Sequence, residues 1–341
     1  MTALDQEQDV VDLAKRLGLN GTPVEAIINF CQSQIDGWVS EAGGVASIGE
    51  LESLVADRLN LVFEEINDDT ELADLKLRYV KKGEIVFAHI VENDLTPDTF
   101  GTMVRLKDGS HVAVIDCRGD KAARRFFTRW HEIAHLLVDP ECERQVFRST
   151  NDPLERLMDQ IAGHVGFYDS LFTPTLKQHL PDGGLLTFEI IDAVRHSFCS
   201  YASFQSTLFA CQRRLSTPLL YVEARMAYSE SERRGLKQRR MFDEDKPEKK
   251  LRVQLTVQND AASQMKLTAR WNMRVPESSA IFTAFHGESP DATGEENLKA
   301  WTFSKGGFLM DCDVFVQARR VDQFVMATIH PLLNEGSFSN E

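Results

Sequence analysis

An apolar run with helical spacing carries the pattern H-E-x-x-H in the stretch Phe127-Thr128-Arg129-Trp130-His131-Glu132-Ile133-Ala134-His135-Leu136-Leu137. Residues i and i+4 share one face of an α-helix, so His131 and His135 can bind the same Zn²⁺ ion. Glu132 would then lie beside the position left for water. The pattern predicts a zinc hydrolase and, within that class, favours a peptidase. The alternative is a helix whose two histidines face solvent or are satisfied in the core.

The flanking residues predict the limits of this helix. Asp120 follows Gly119 and is expected to cap the helix N-terminus, and nothing between Lys121 and Val138 breaks a helix. Apolar residues at helical spacing predict one buried face, formed by Ala122, Phe126, Trp130, Ile133, Ala134 and Leu137.

A catalytic zinc site usually has a third protein ligand, which is expected downstream. The next helix signal has Asp152 as the capping residue and Pro153 at the first helical position. Glu155 lies in the first turn, and we expect it to be the third ligand. The alternative is a capping carboxylate, favoured by the helix dipole without any metal. Asp159, one turn later, is expected to accept a hydrogen bond from a ligating imidazole and fix its tautomer.

These segments resemble the ImmA/IrrE family of bacterial metallopeptidases. The resemblance consists of Arg125-Phe126-Phe127-Thr128 before H-E-x-x-H, and of Glu155-Arg156-Leu157-Met158-Asp159-Gln160-Ile161-Ala162 as the second helix. It implies a gluzincin-like minimal metallopeptidase domain in which His131, His135 and Glu155 hold zinc and Glu132 is the catalytic base. The resemblance covers only the first half of the chain.

The resemblance also implies a function: a site-specific endopeptidase that cuts a helix-turn-helix repressor and so induces stress or anti-phage defence genes. Similar proteins respond to DNA damage, which makes single-stranded DNA an expected activator. One alternative is a DNA-binding transcription regulator whose peptidase-like domain senses zinc without catalysis. Another is a peptidase that acts on a toxin or an immunity factor.

Cys117 departs from the family pattern at the end of the strand before the zinc helix, where a polar residue such as Asn is common. A thiolate is a strong zinc ligand, so Cys117 is a candidate inhibitory ligand that would close the open position reversibly. The alternative is a small buried residue, which is how most free cysteines behave.

Periodicity predicts helices over residues 9–17, 23–39 and 48–59 before the zinc helix. Strands are expected over residues 61–64, 84–89, 101–106 and 111–116, with a hairpin turn at 107–110. We therefore expect a small sheet leading into the zinc helix, within a metallopeptidase domain of residues 1–180.

Composition limits the classes of protein to consider. The net charge of −14, from 38 basic and 52 acidic residues, argues against a protein that coats nucleic acid. Neither an apolar segment of about 18 residues nor a secretory signal is found. Six cysteines without a C-x-x-C pair fit reduced thiols. A cytoplasmic globular protein of two or three domains is expected.

Residues 181–245 are predicted to form a central helical segment that resembles a helix-turn-helix, although helical hairpins are common. It ends in a local basic stripe, a candidate nucleic-acid contact whose alternative is a solvated helix end. The stripe contains Arg225, Arg233, Arg234, Lys237, Arg239 and Arg240.

Residues 246–341 are expected to form an α+β module, similar by family resemblance to a GAF sensor domain. Strands are predicted over residues 251–257, 301–304, 308–316 and 324–329, and a short helix over 280–285. The fold class is therefore α+β throughout.

Overall fold

The computed structural model describes residues 3–148, 152–181, 184–238, 247–301 and 309–332. The chain has mixed α and β structure, as predicted. It divides into two compact units, one formed by Met1–His179 and Asp192–Ala210, the other by Leu180–Ile191 and Cys211–Glu341. The segment 181–245 is thus shared between the two units.

The first unit contains eight helices and four strands that lie wholly within it, among the described residues. In chain order they are α1 (Gln8–Arg16), α2 (Pro23–Glu41), α3 (Ile48–Arg58), β1 (Leu61–Ile66), α4 (Asp69–Lys81), α5 (Ile85–Asp94), β2 (Thr99–Arg105), β3 (His111–Asp116), α6 (Arg125–Val138), β4 (Arg144–Arg148), α7 (Pro153–Val165) and α8 (Asp169–His179). Two further helices, α9 (Phe188–Phe198) and α10 (Phe204–Arg214), are divided between the units.

The strands of the first unit form one sheet in the order β1-β3-β2-β4. β1 runs parallel to β3, while β2 is antiparallel to both β3 and β4. The helix that carries H-E-x-x-H, α6, contacts β2, β3 and β4 and also contacts α2 and α7. The sheet and these helices therefore enclose α6, and every residue from Trp130 to Val138 is buried.

The predicted helices at 9–17, 23–39 and 48–59 are confirmed, as are the strands at 61–64, 101–106 and 111–116. The strand predicted at 84–89 is wrong, because this segment forms the start of α5. The buried residues of α5 are Phe87, Ala88, Val91 and Asp94, a helical spacing, while Ile85 and Val86 are exposed. A short apolar run does not by itself distinguish a strand from a helix.

The prediction that Asp120 caps the zinc helix is also wrong. Residues Gly119–Arg124 form a 3-10 turn, and α6 begins only at Arg125. Ala122 lies in that exposed turn instead of on the buried face. The physical reason is Asp116, which accepts hydrogen bonds from Arg118 and Lys121 and so holds the turn tight.

The second unit contains a five-stranded antiparallel sheet in the order β6-β5-β9-β8-β7. Its elements, in chain order, are β5 (Leu220–Ala227), α11 (Glu230–Gln238), β6 (Lys250–Gln258), α12 (Asp260–Gln264), α13 (Ala280–His286), β7 (Asp291–Asn297), β8 (Asp313–Val321) and β9 (Phe324–Pro331). Alternate residues of β5 and β9 pack with Ile281 and Trp301 in one apolar core.

The strands predicted at 251–257 and 324–329 and the helix predicted at 280–285 are confirmed. The strand predicted at 308–316 begins only at Asp313. Of the strand predicted at 301–304, Trp301 is not in a strand and the rest lies outside the described residues. Within the described part of the chain, every helix is too short or too polar to cross a membrane.

Candidate metal centre

His131, Glu132 and His135 are all buried on α6. Their burial follows from the apolar residues around them, since Phe126, Trp130 and the other predicted face residues within α6 are buried as expected. A buried polar group costs free energy unless it finds a partner, so each of these side chains needs one.

α7 brings Glu155 to the two histidines. The helix begins as predicted, with Pro153 in its first turn and Asp152 as the capping residue. Asp152 Oδ1 accepts hydrogen bonds from the backbone N–H groups of Leu154 at 2.8 Å and Glu155 at 3.3 Å. Capping by aspartate therefore leaves the Glu155 carboxylate available for another partner.

The carboxylate of Glu155 faces both imidazoles. Its Oε2 lies 3.2 Å from His131 Nε2, and its Oε1 lies 3.5 Å from His135 Nε2. The two Nε2 atoms are 3.1 Å apart. Donors bound at about 2.0–2.1 Å to a tetrahedral zinc ion lie about 3.3 Å from one another. The spacing and the chemistry of these donors therefore fit a single metal ion.

Ionisation of these groups is strongly coupled. Burial opposes the charged form of His131, but its hydrogen bonds to Asp159 and Glu155 raise its pKa to about 9. Burial likewise opposes the charge on Glu155, but hydrogen bonds with His131 and His135 lower its pKa to about 2. Burial lowers the pKa of His135. In the absence of metal, a proton on His131 balances the charge of the Glu155 carboxylate, and metal binding would release that proton.

The ring of His131 is fixed from two sides. Its Nδ1 lies 2.9 Å from Asp159 Oδ1, the contact predicted from the sequence. Phe147 on β4 stacks on the same imidazole, with ring centroids 3.8 Å apart and planes at 27°. Phe147 was not predicted, because the strand that carries it is only five residues long and gives a weak sequence signal.

Glu132 lies next to the donor group and is completely buried. Among the described residues neither of its carboxylate oxygens has a hydrogen-bond partner. Burial raises its pKa to about 8. An unpartnered buried carboxylate is rare in a structural role and typical of a functional site.

Gly101 on β2 leaves the room that Glu132 needs. A Cβ atom at this position would lie 3.2 Å from Glu132 Oε1 and 3.0 Å from Thr128 Cγ2. A larger residue at this position would force these side chains of α6 to shift by a few tenths of an ångström. One sign of this was visible in the sequence, because a glycine inside a predicted strand suggests close approach of another group.

A cavity of about 240 Å³ opens onto His135 and Glu155. Its wall includes residues from α1, α6 and α7, together with Cys142 and Gln145. Two of the three candidate donor residues, His135 and Glu155, therefore line a cavity, whereas His131 is fully buried.

Cys117 is not part of the donor group, which in the described part of the chain consists of His131, His135 and Glu155. Cys117 follows β3, and its backbone N–H donates to the Ile66 carbonyl at 2.8 Å. Burial raises the pKa of its thiol to about 11, and the charge on Glu65 adds to this. Its inhibitory role stays a prediction.

The basic stripe is described only in part. Arg233 and Arg234 are exposed on α11, where Arg234 is ion-paired with Glu230. Lys237 belongs to the same helix, whereas Arg239 and Arg240 lie outside the described residues. Binding of nucleic acid by these residues stays a prediction.

Comparison of the chain with protein-family models and with curated proteins finds no match. The motif residues and their geometry are therefore the basis on which the site is assigned.

Proposed function

We propose that this protein is a zinc-dependent, site-specific endopeptidase. The observation that supports the proposal most is the convergence of His131, His135 and Glu155 from two successive helices. Two imidazoles and one carboxylate are the ligand set of many catalytic zinc sites, which keep a further position for water or substrate. When bound, zinc would polarise the scissile carbonyl and acidify a water molecule.

Glu132 is the proposed general base. Its carboxylate is buried beside the donor group and has no other described partner, so its oxygens are free to accept a proton. A carboxylate in this position can take a proton from water and later deliver it to the leaving amine. Asp159 and Phe147 hold His131 in orientation during this cycle.

The test combines metal analysis with Glu132→Gln. We expect one zinc ion per chain in both the wild type and the variant, measured by mass spectrometry of the metal. Peptidase activity of the variant should fall by about 10²–10⁴-fold, since proton transfer loses its carrier. Equal activity in the two zinc-loaded proteins would rule out this role for Glu132. Zinc without any peptidase activity in the wild type would favour the zinc-sensing regulator.

We propose by resemblance that the substrate is a helix-turn-helix repressor and that single-stranded DNA activates the cleavage. Co-expression with such regulators, followed by mass spectrometry of the products, identifies the cut bond. Addition of single-stranded DNA should increase the cleavage rate, and Arg233→Glu should reduce the increase because it reverses a charge of the basic stripe. A rate that does not respond to DNA contradicts the proposed activation.

The inhibitory role of Cys117 is tested by Cys117→Ala. If the thiol closes the metal position, the variant should cleave faster than the wild type in the absence of any activator. Cys31→Ala is a matched control, because Cys31 is also a buried free cysteine. Equal basal rates in the wild type and in Cys117→Ala would leave Cys117 as a packing residue.

A further inference from the structure

The cavity beside the donor group has an apolar side. Leu154 and Met158 are one turn apart on α7, and both line the cavity. They lie next to Glu155 and Asp159, which are also one turn apart, so an apolar row runs beside the metal-binding row on the same helix. Leu13 from α1 and Val138 from α6 complete the apolar wall.

The mouth of the cavity carries charges of both signs. Arg16, Asp139 and Asp152 line it, and all three are exposed. Because these charges oppose one another and are solvated, they give little selection for a substrate side chain of one sign. The buried apolar wall is the more selective part, since discrimination in such a pocket depends on shape and on apolar area.

The size of the cavity limits what it accepts. Its volume is about 240 Å³, and an apolar cavity of about 150 Å³ is large enough for a benzene ring. Met158 is flexible and can adjust to side chains of different shape. A phenylalanine, leucine or methionine side chain fits this space, whereas alanine would leave most of the wall without a contact.

We propose that this cavity is the specificity pocket of the enzyme, and that it binds a bulky apolar side chain next to the scissile bond. The inference rests on the proposed peptidase function and names its substrate class. A group in the cavity adjoins His135 and Glu155, so a peptide anchored there has its neighbouring peptide bond at the metal centre. Burial of such a side chain should tighten binding by about 10- to 100-fold.

Binding tests the pocket without turnover. The probes are acetyl-phenylalanine hydroxamate and acetyl-alanine hydroxamate, added to the zinc-loaded protein and followed by calorimetry. The phenylalanine probe should bind at least about tenfold more tightly, because only its side chain reaches the apolar wall. Leu154→Trp should remove most of this difference by filling the cavity from a half-buried position. Ile85→Trp is the control, since Ile85 is 64% exposed and lies outside the cavity.

Cleavage of a randomised octapeptide library gives the second measurement. Sequencing of the products should show phenylalanine, leucine or methionine enriched at one position adjoining the cut, and Leu154→Trp should shift this position toward smaller residues. Cleavage without that enrichment overturns the specificity pocket but leaves the peptidase proposal intact. If no peptide is cleaved, the peptidase proposal fails, and the two hydroxamates still decide whether the pocket selects apolar groups. Equal affinities for the two hydroxamates overturn the specificity pocket.

Discussion

Two regions of the first unit bury carboxylates in opposite ways. At the end of β3, the fully buried side chain of Asp116 accepts hydrogen bonds from Arg118 Nε at 2.8 Å and from Lys121 Nζ at 2.7 Å. In the middle of α6, the equally buried carboxylate of Glu132 has no described partner. The first region gives its carboxylate hydrogen-bond partners within the fold, and the second leaves its carboxyl group without a described partner.

The two carboxyl groups differ in the direction in which their pKa values are shifted. Burial opposes ionisation of Asp116, but the hydrogen bonds from Arg118 and Lys121 hold its pKa below its ordinary value. Burial without such partners raises the pKa of Glu132 to about 8. A paired carboxylate stabilises the turn that leads into α6, whereas an unpaired buried one costs stability, and such groups are concentrated at functional sites.

The largest effect is expected from Glu155→Ala, which removes a carboxylate donor from the metal centre. Zinc content should fall from about one ion per chain to near zero, because two imidazoles alone bind the ion weakly. Glu25→Ala is a matched control, since Glu25 occupies the same place in the first turn of α2, two residues after a proline. If both variants keep zinc, Glu155 is not a metal ligand.

Asp116→Asn removes the carboxylate that pairs with Arg118 and Lys121. The variant should lose about 3 kcal/mol of folding stability at pH 7, because Arg118 and Lys121 are left without their buried partner. The loss should be smaller below about pH 4, since a carboxylate with a lowered pKa stabilises the fold only above its unfolded value of 3.8. Denaturant unfolding at several pH values measures both effects. Asp57→Asn, at an exposed position on α3, should change neither.

Glu132→Gln should have the opposite effect on folding stability in the metal-free protein, which it should stabilise. A raised pKa means that the wild type loses stability as the pH rises from about 4.5 to about 8. The variant should therefore be more stable than the wild type by about 2 kcal/mol at pH 8, after allowing for an unpaired amide. The advantage should vanish near pH 4. A variant that is less stable than the wild type at pH 8 would show that Glu132 has a structural partner.

Asp159→Asn tests the hydrogen bond that orients His131. Removal of the charge should weaken zinc affinity by about 10–100-fold, as is usual for partners of metal-ligating histidines. Asp159→Glu should recover part of the affinity if the carboxylate still reaches Nδ1. Competition with a chelator measures the affinity, and unfolding of the metal-free proteins separates this effect from a general loss of stability.

The parts of the candidate metal centre that were predictable from the sequence are those with a strong local sequence signal. His131, Glu132 and His135 follow from spacing on one helix, and Asp152-Pro153 predicts the start of α7. The same helix start places Glu155 in the first turn of α7 and Asp159 one turn later. The fold then brings the donor atoms of His131, His135 and Glu155 within 4.8 Å of one another.

The parts that were missed depend on distant contacts. α5 was predicted as a strand because six residues gave no clear period, and its helical form is set by packing on α4 and β2. β7, with the sequence DATGEEN, has no apolar alternation, because it has no buried residue and pairs, among the described strands, only with β8. Gly101 and Phe147 act on α6 from neighbouring strands, so little in their local sequence reveals their role.

The smallest effect is expected from Phe147→Leu, which removes the ring stacked on His131 but keeps an apolar side chain. A ring contact of this kind contributes about 0.5–1.5 kcal/mol beyond its burial, so zinc affinity should fall by about tenfold at most. Phe100→Leu is the matched control, because Phe100 contacts Phe147 with centroids 5.4 Å apart and has no described ring contact with His131. A loss that is equal in both variants would assign the effect to packing of the strands and not to the imidazole.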